Sequence, residues 1–366
     1  MRTICIVAIA ALLACKPVFS QNVPRIGFRS YGEGSVVTYW GDSGLRTGDL
    51  HNLPNLHSVE ISYGTTLTAD DLKYLGSLEK IECIQIGQEI IDTPVKIAGD
   101  LSVLGKLKHL DRVHLCKQDI KDADLSFVGS LPKITQLEVN ADSDYAGGGS
   151  TLTDACAIHV ARARSLESVY IQGSGRLTDE FISVISEGLS NLEHLNLRCP
   201  RLTDASLEFL ATRCKKLNWL DLSSNQFTNR GIKHLSNAKN MEMLWINSSS
   251  LTSECIESVA SLDQLKHLEL TVSTIVDRHA KILANLKKLE ILALRRPALS
   301  DEQFQMFSNH PKLESAFING ENMSIETTLR TISTIPNLKH LSVGSKNADL
   351  QAAVDQMLRK RPSAKH

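Results

Sequence analysis

The sequence predicts an α/β solenoid: a curved parallel sheet of about twelve strands, each followed by a helical segment on the outer side. Three observations predict it. A short apolar frame recurs along the chain, the spacing between its copies is nearly constant, and a polar helix-start signal stands behind several of them.

The frame reads L-x-x-L-x-L. Leu217-Asn-Trp-Leu220-Asp-Leu222, Leu265-Lys-His-Leu268-Glu-Leu270 and Leu289-Glu-Ile-Leu292-Ala-Leu294 state it in full. Other aliphatic residues fill it elsewhere, from Leu56/Val59/Ile61 through Leu166/Val169/Ile171 to Leu338/Leu341/Val343. Its central position falls at 59, 84, 113, 137, 169, 195, 220, 244, 268, 292, 316 and 341, so the steps are 24 to 26 residues apart from one of 29 and one of 32. Alternation of apolar and free positions is the two-residue period of a half-buried strand.

A second element follows. Leu152-Thr153-Asp154, Leu177-Thr178-Asp179, Leu202-Thr203-Asp204 and Leu299-Ser300-Asp301 each open a segment with further apolar residues at helical spacing, as in Leu202, Leu207 and Leu210. A hydroxyl caps free N–H groups at a helix start and the following acid suits the positive end of the dipole. Strand and period-3.6 helix are therefore expected in every unit. One such unit cannot bury its apolar face alone, so the units must stack and seal one another. Length would suggest two or three domains for 366 residues. The repeat makes it one elongated array.

The pattern resembles leucine-rich repeats, and among them the ribonuclease-inhibitor-like, cysteine-containing variety. The Leu-Thr-Asp openings and the Cys214-Lys-Lys-Leu217 junction carry that likeness, and Asn225 stands where the family places an asparagine after the strand. The likeness covers residues 53–345 and implies a horseshoe with a parallel sheet on the concave side and helices on the convex side.

The ends read differently. Residues 1–20 look like a signal peptide: Arg2 gives a positive start, and the apolar run Ile4–Ala14 is too short to span a bilayer but suits the apolar region of an export signal. Cleavage after Ser20 fits the small or branched residues before Gln21, whereas Leu12-Leu13-Ala14-Cys15 resembles a bacterial lipobox, which would make Cys15 a lipidated N-terminus. Residues 21–52 form an N-terminal cap, with a hairpin around Gly32-Glu33-Gly34 covering the first repeat. Residues 346–366 form a closing helix, with Leu350, Val354, Met357 and Leu358 as its apolar stripe, and a basic tail. The two long steps carry Ile90–Pro94 and the Gly-rich stretch 142–150, both loops by composition. Asp142 and Asp144 lack the remaining ligands of a calcium loop.

Composition limits the function. With 40 Lys+Arg against 41 Asp+Glu there is no basic excess for a nucleic acid partner. Export would leave Cys83, Cys116, Cys156, Cys199, Cys214 and Cys255, unspaced for metal and too sparse for a disulfide scaffold, so they are expected as small buried hydrophobes. The chain carries none of the nucleophile, phosphate-loop, dinucleotide or H-E-x-x-H motifs, and the His267, Glu269 and Asp221 trio supplies no closed set of metal ligands. No cofactor, metal or catalytic role is expected.

The remaining chemistry lies on the concave face. The residues just before and between the last two leucines point there, and Trp219 and Trp245 fall at such positions in adjacent repeats. With strands about 4.8 Å apart, the two indoles should lie within about 8 Å. Met243, His267 and Ile291 extend the patch, Tyr170, His194 and Phe317 lie on the same rows, and Asp221 and Glu269 flank it. Exposed indoles cost solubility unless something covers them, and Trp is a frequent interface anchor. Acids beside indoles suit a Lys or Arg of the ligand, since a cation over an aromatic face adds about 0.5–2 kcal/mol. The expected function is that of an exported binding protein for a protein or peptide, with two rivals: an envelope-associated lipoprotein or spacer without a single ligand, and an intracellular adaptor. A membrane would be met only through a lipid anchor.

Overall fold

The computed structural model describes residues 25–31, 34–40, 56–61, 66–87, 95–116, 120–140, 151–172, 175–223, 226–344 and 348–360, the first two stretches and Ser223 by backbone alone. Twelve repeat strands, from Leu56–Ile61 to His340–Ser342, hydrogen-bond in chain order as one parallel sheet, the architecture of a leucine-rich-repeat solenoid. Its register matches the frame: Val59 lies opposite Ile84, Leu195 opposite Leu220, Leu220 opposite Leu244, and Leu292 opposite Ala316. At the start, Arg25–Tyr31 and Gly34–Trp40 pair antiparallel, and the second of them pairs in parallel with Leu56–Ile61. The hairpin thus covers the first repeat by continuing its sheet, and Arg25–Tyr31 becomes the edge.

Burial follows from the two-residue period. None of the twelve central residues is more than 3% exposed, and the third positions from Ile61 to Val343 are buried with them. These residues form one continuous apolar core with the outer segments, as expected when stacking is the only way to remove each unit's face from water.

The outer elements depart from the expectation of a helix in every unit. Thr178-capped Asp179–Gly188 and Thr203-capped Asp204–Arg213 are α-helices, and so are shorter segments such as Asn229–Leu235. In the earlier repeats Leu101–Lys106, Asp122–Leu125 and Val128–Ser130 are 3-10 helix instead. Leu125, Val128 and Leu131 face the core from the 3-10 turns as Leu207, Leu210, Ala211 and Cys214 do from the α-helix, so either geometry can present an apolar face to the sheet.

The acid of the Leu-Thr-Asp signal does more than meet a dipole. The carboxylate of Asp179 accepts the backbone N–H of Thr203 at 2.9 Å, the Thr203 hydroxyl at 2.6 Å and the Ser206 hydroxyl at 2.5 Å. Thr203 is the helix cap of the next repeat, and its hydroxyl oxygen in turn accepts the N–H of Ala205 at 3.4 Å. The same step runs from Asp122 to Thr153, Asp154 to Thr178 and Asp204 to Thr228, and Asn229 takes the acid's part toward Thr252. Gly231 is required by this arrangement, because a Cβ there would meet the Asp204 carboxylate at 2.2 Å.

The closing helix Ala348–Arg359 buries Leu350 and Val354 and packs Met357 and Leu358 against the core. No disulfide is formed among the six cysteines of the described residues, of which Cys83 and Cys116 are half-buried and the rest buried. Burial pushes the Cys214 thiol up to about 11 and that of Cys255 to about 12, which keeps both protonated and unreactive. No helix among the described residues is long and apolar enough to cross a membrane. The Ile90–Pro94 and 142–150 insertions, Asn225, Gly32-Glu33, the signal segment and the basic tail beyond Lys360 lie outside the described residues.

Removing one carboxylate of the ladder strands three donors. Asp179→Ala should lower unfolding free energy by about 2 kcal/mol, given roughly 0.5–1.5 kcal/mol net per hydrogen bond and more for charged acceptors. Urea titration followed by circular dichroism measures it. A loss within a few tenths of a kcal/mol would show the ladder to be decorative.

Candidate binding surface

The concave side of the sheet is built from the free positions of the frame. His194, Trp219, Met243, His267 and Ile291 lie in one row across adjacent strands, since each is the Cα partner of the next. The neighbouring row holds Tyr170, Asn196, Asp221, Trp245, Glu269, Ala293 and Phe317. The strands hold these positions because the residues between them are locked in the core.

The indoles touch as the spacing requires. The Trp219 and Trp245 ring centroids are 6.0 Å apart with planes at 78°, and His194 adds a second edge-to-face contact to Trp219 at 5.5 Å and 65°. Both geometries put a ring edge against a π face, the favoured arrangement for aromatic pairs. This packing removes part of each indole from water, so neither is fully exposed: Trp219 and Trp245 are half-buried, as are Met243, His267, Ile291, Tyr170 and His194. Phe317 projects most, at 48% exposure.

The two acids singled out from the sequence are not available to a ligand in the way expected. Asp221 is 7% exposed and accepts the Asn196 side-chain amide at 2.9 Å. Glu269 is ion-paired with Arg295 at 2.5 Å. Alternation along the strand placed both residues on the correct face but could not show that a residue of a neighbouring strand would hold each carboxylate. Nor do His267, Glu269 and Asp221 converge on a metal, because His267 faces Glu290 at 3.8 Å instead. Among the described residues the carboxylate and histidine atoms that do cluster closely are those of Glu254, Glu257 and His279 on the convex side. There the Arg278 guanidinium holds Glu254 at 2.6 and 2.7 Å and lies 3.4 Å from Glu257, so a side-chain cation already occupies the pair.

Sequence reasoning missed two features. Glutamates recur at the first free position of the frame, one residue before the row, and four of them border it: Glu167, Glu193, Glu242 and Glu290. The signal was in the repeat alignment, at a position that the concave rows did not include. The other feature is polar dissatisfaction in the floor. The Asn196 amide oxygen, the Trp219 indole nitrogen and the Thr271 hydroxyl are buried without a hydrogen-bond partner. No sequence pattern reports that, because it depends on which neighbour each side chain meets.

No family model matches the chain, and no curated protein matches it. Solved structures do match in fold. An internalin (inlF) from Listeria monocytogenes is similar over 84% of this chain and 79% of its own, with 23% identity and a TM-score of 0.57. The yeast complex of Rad7 and Elc1 contains a chain similar over 81% of this one and 70% of its own, with 16% identity and a TM-score of 0.50. At these identities the likeness is one of fold.

Three histidines make folding sensitive to acid. Burial holds His194 below the ordinary range, opposed by the nearby Glu193 and Glu167; burial likewise lowers His267, opposed mainly by Glu290. Burial lowers His310 too, whose Nε2 lies 3.1 Å from the Leu286 carbonyl and whose Nδ1 accepts the Leu313 N–H at 3.0 Å, bonds that only the neutral ring can satisfy together. In each case the unfolded chain binds protons more readily than the folded one. Stability should therefore be level above about pH 7 and fall as pH drops below the unfolded histidine value near 6.5. Chemical denaturation across pH 5 to about 8 reads this directly, and His310→Gln should flatten part of the slope. A stability that rises on acidification through that window would contradict the assignment.

Proposed function

We propose that the chain is an exported, non-catalytic leucine-rich-repeat protein that holds a protein or peptide partner on its concave sheet, centred on Trp219 and Trp245. One observation carries this reading: the concave floor presents a contiguous aromatic and aliphatic strip, with Phe317 projecting, whose buried polar atoms at Asn196, Trp219 and Thr271 lack partners. Apolar surface left on a sheet face and unmet hydrogen-bonding groups both cost free energy that a partner recovers. Among the similar folds, the yeast Rad7 chain was solved in complex with a second protein, Elc1.

Export rests on the positive start and the apolar stretch Ile4–Ala14. A lipid-anchored, envelope-associated form is the second reading, favoured by Leu12-Leu13-Ala14-Cys15. The ribonuclease-inhibitor-like subtype is supported by the buried Cys214 ahead of Leu217 and by the ten-residue outer helices of the neighbouring repeats. The intracellular adaptor reading would require an uncleaved Met1.

Crosslinking the mature protein in its native envelope should yield a discrete protein adduct. Replacing Trp219 and Trp245 together by alanine should reduce its recovery by tenfold or more, about 1.4 kcal/mol, within the range of an aromatic anchor. Undiminished recovery of the same adduct from a folded double variant would place the contact elsewhere. Mass measurement of the mature N-terminus gives Gln21 for soluble export and a modified Cys15 for the anchored form.

A further inference from the structure

The charge bordering the aromatic floor identifies the partner's chemistry. Glu167 and Glu193 occupy neighbouring strands, one residue before Ser168 and His194, which are Cα partners. The backbone N–H groups of Glu193 and His194 both donate to the Glu167 carbonyl, at 2.8 and 2.9 Å, which fixes the two residues side by side. Both are half-buried, both act electrostatically on His194, and neither carboxylate has a hydrogen-bond or ion-pair partner among the described residues. The contrast with the other acids of this rim is informative. Glu242 is paired with Lys266 at 2.7 Å and Glu314 with Lys339 at 2.8 Å, so along the same position of the repeat a lysine one strand on cancels the charge. After Glu193 that position is Asn218, which cannot. His194 itself stays neutral around pH 7 because burial disfavours its charged form. Two adjacent uncompensated carboxylates therefore stand at one end of an aromatic strip.

The floor next to them asks for both a donor and an acceptor. Asn196, 6% exposed, must turn its amide nitrogen to the Asp221 carboxylate, which only accepts, and this leaves its oxygen without a donor. The Trp219 indole nitrogen, on the adjacent strand, lacks an acceptor. A peptide group offers one of each. Both atoms are buried beneath neighbouring side chains.

We propose that the concave face takes an extended, basic polypeptide segment, with a lysine or arginine seated between Glu167 and Glu193 and the adjoining peptide running over the His194–Trp219–Trp245 ladder. This rests on the concave-face reading above and adds the sign of the partner's charge to it. Half-burial of both glutamates lowers the local dielectric, which strengthens a salt bridge beyond its surface value.

The test uses the full chain and two capped probes, Gly-Arg-Gly-Arg-Gly and Gly-Glu-Gly-Glu-Gly, titrated against tryptophan emission and checked by calorimetry. The basic probe should bind and perturb the emission, with an affinity that falls as salt rises, and the acidic probe should not. Glu167→Gln with Glu193→Gln should weaken the basic probe about tenfold, the scale of removing a partly desolvated charge partner. Glu326→Gln, on the exposed convex side, should leave it unchanged. The proposal is overturned if the basic probe does not bind, if the acidic probe binds as well, or if the double glutamine variant binds the basic probe undiminished. Trp219→Phe with Trp245→Phe, which keeps the core volume nearly filled, separates the two levels. Binding lost in the aromatic variants but intact in the glutamine variant would preserve the concave site and refute its cationic ligand. Binding intact in both would refute both.

Discussion

In four successive steps of the array a carboxylate of one repeat holds the cap of the next, and the stacking of those repeats depends on that exchange. The hydroxyl of Thr203 donates to Asp179 while its oxygen accepts from Ala205 in its own helix, so one side chain closes the helix start and joins it to the preceding unit. The step recurs at Asp122, Asp154 and Asp204. Apolar stacking alone is non-directional and would tolerate sliding between units. The carboxylate fixes the offset of each outer segment on the last, and the parallel sheet fixes the offset of the strands. Between them the core leucines have a single way to interdigitate.

That division of labour frees the concave surface to vary. Because Leu195, Leu220, Leu244 and Leu268 are fully enclosed at every step, the residues beside them carry no folding duty and can be a histidine, an indole, a thioether or another histidine in succession. The aromatic ladder arises where two such choices meet across adjacent strands. Its energetic character is mixed: edge-to-face ring contacts stabilise it, whereas the unpartnered Asn196 oxygen and Trp219 nitrogen cost it hydrogen bonds.

The outer face shows where local signals stop short. Asp154–Cys156 follows the Thr153 cap and is a 3-10 turn, whereas Asp204–Arg213 follows the Thr203 cap and is an α-helix. Thr-Asp alone therefore predicts that a turn begins and not which helix follows. The cysteines illustrate the same limit from the other side. Their scarcity and spacing point to small buried hydrophobes, and four of the six in the described residues are buried while Cys83 and Cys116 are half-buried.

The periodic frame was enough to specify the solenoid, the number of strands, their parallel register and the contact between Trp219 and Trp245, because a repeat converts position in the chain into position in space. It was not enough to say which acids are free. Asp221 and Glu269 looked available from alternation, yet Asn196 and Arg295, 25 and 26 residues away in sequence, hold them. Glu167 and Glu193 looked unremarkable and stand without a counter-charge among the described residues. Strand periodicity fixes the face on which a side chain emerges, whereas its partner is chosen by the rotamers and lengths of residues on the neighbouring strand. Only the folded arrangement brings those together, and with them the charge that a ligand would meet.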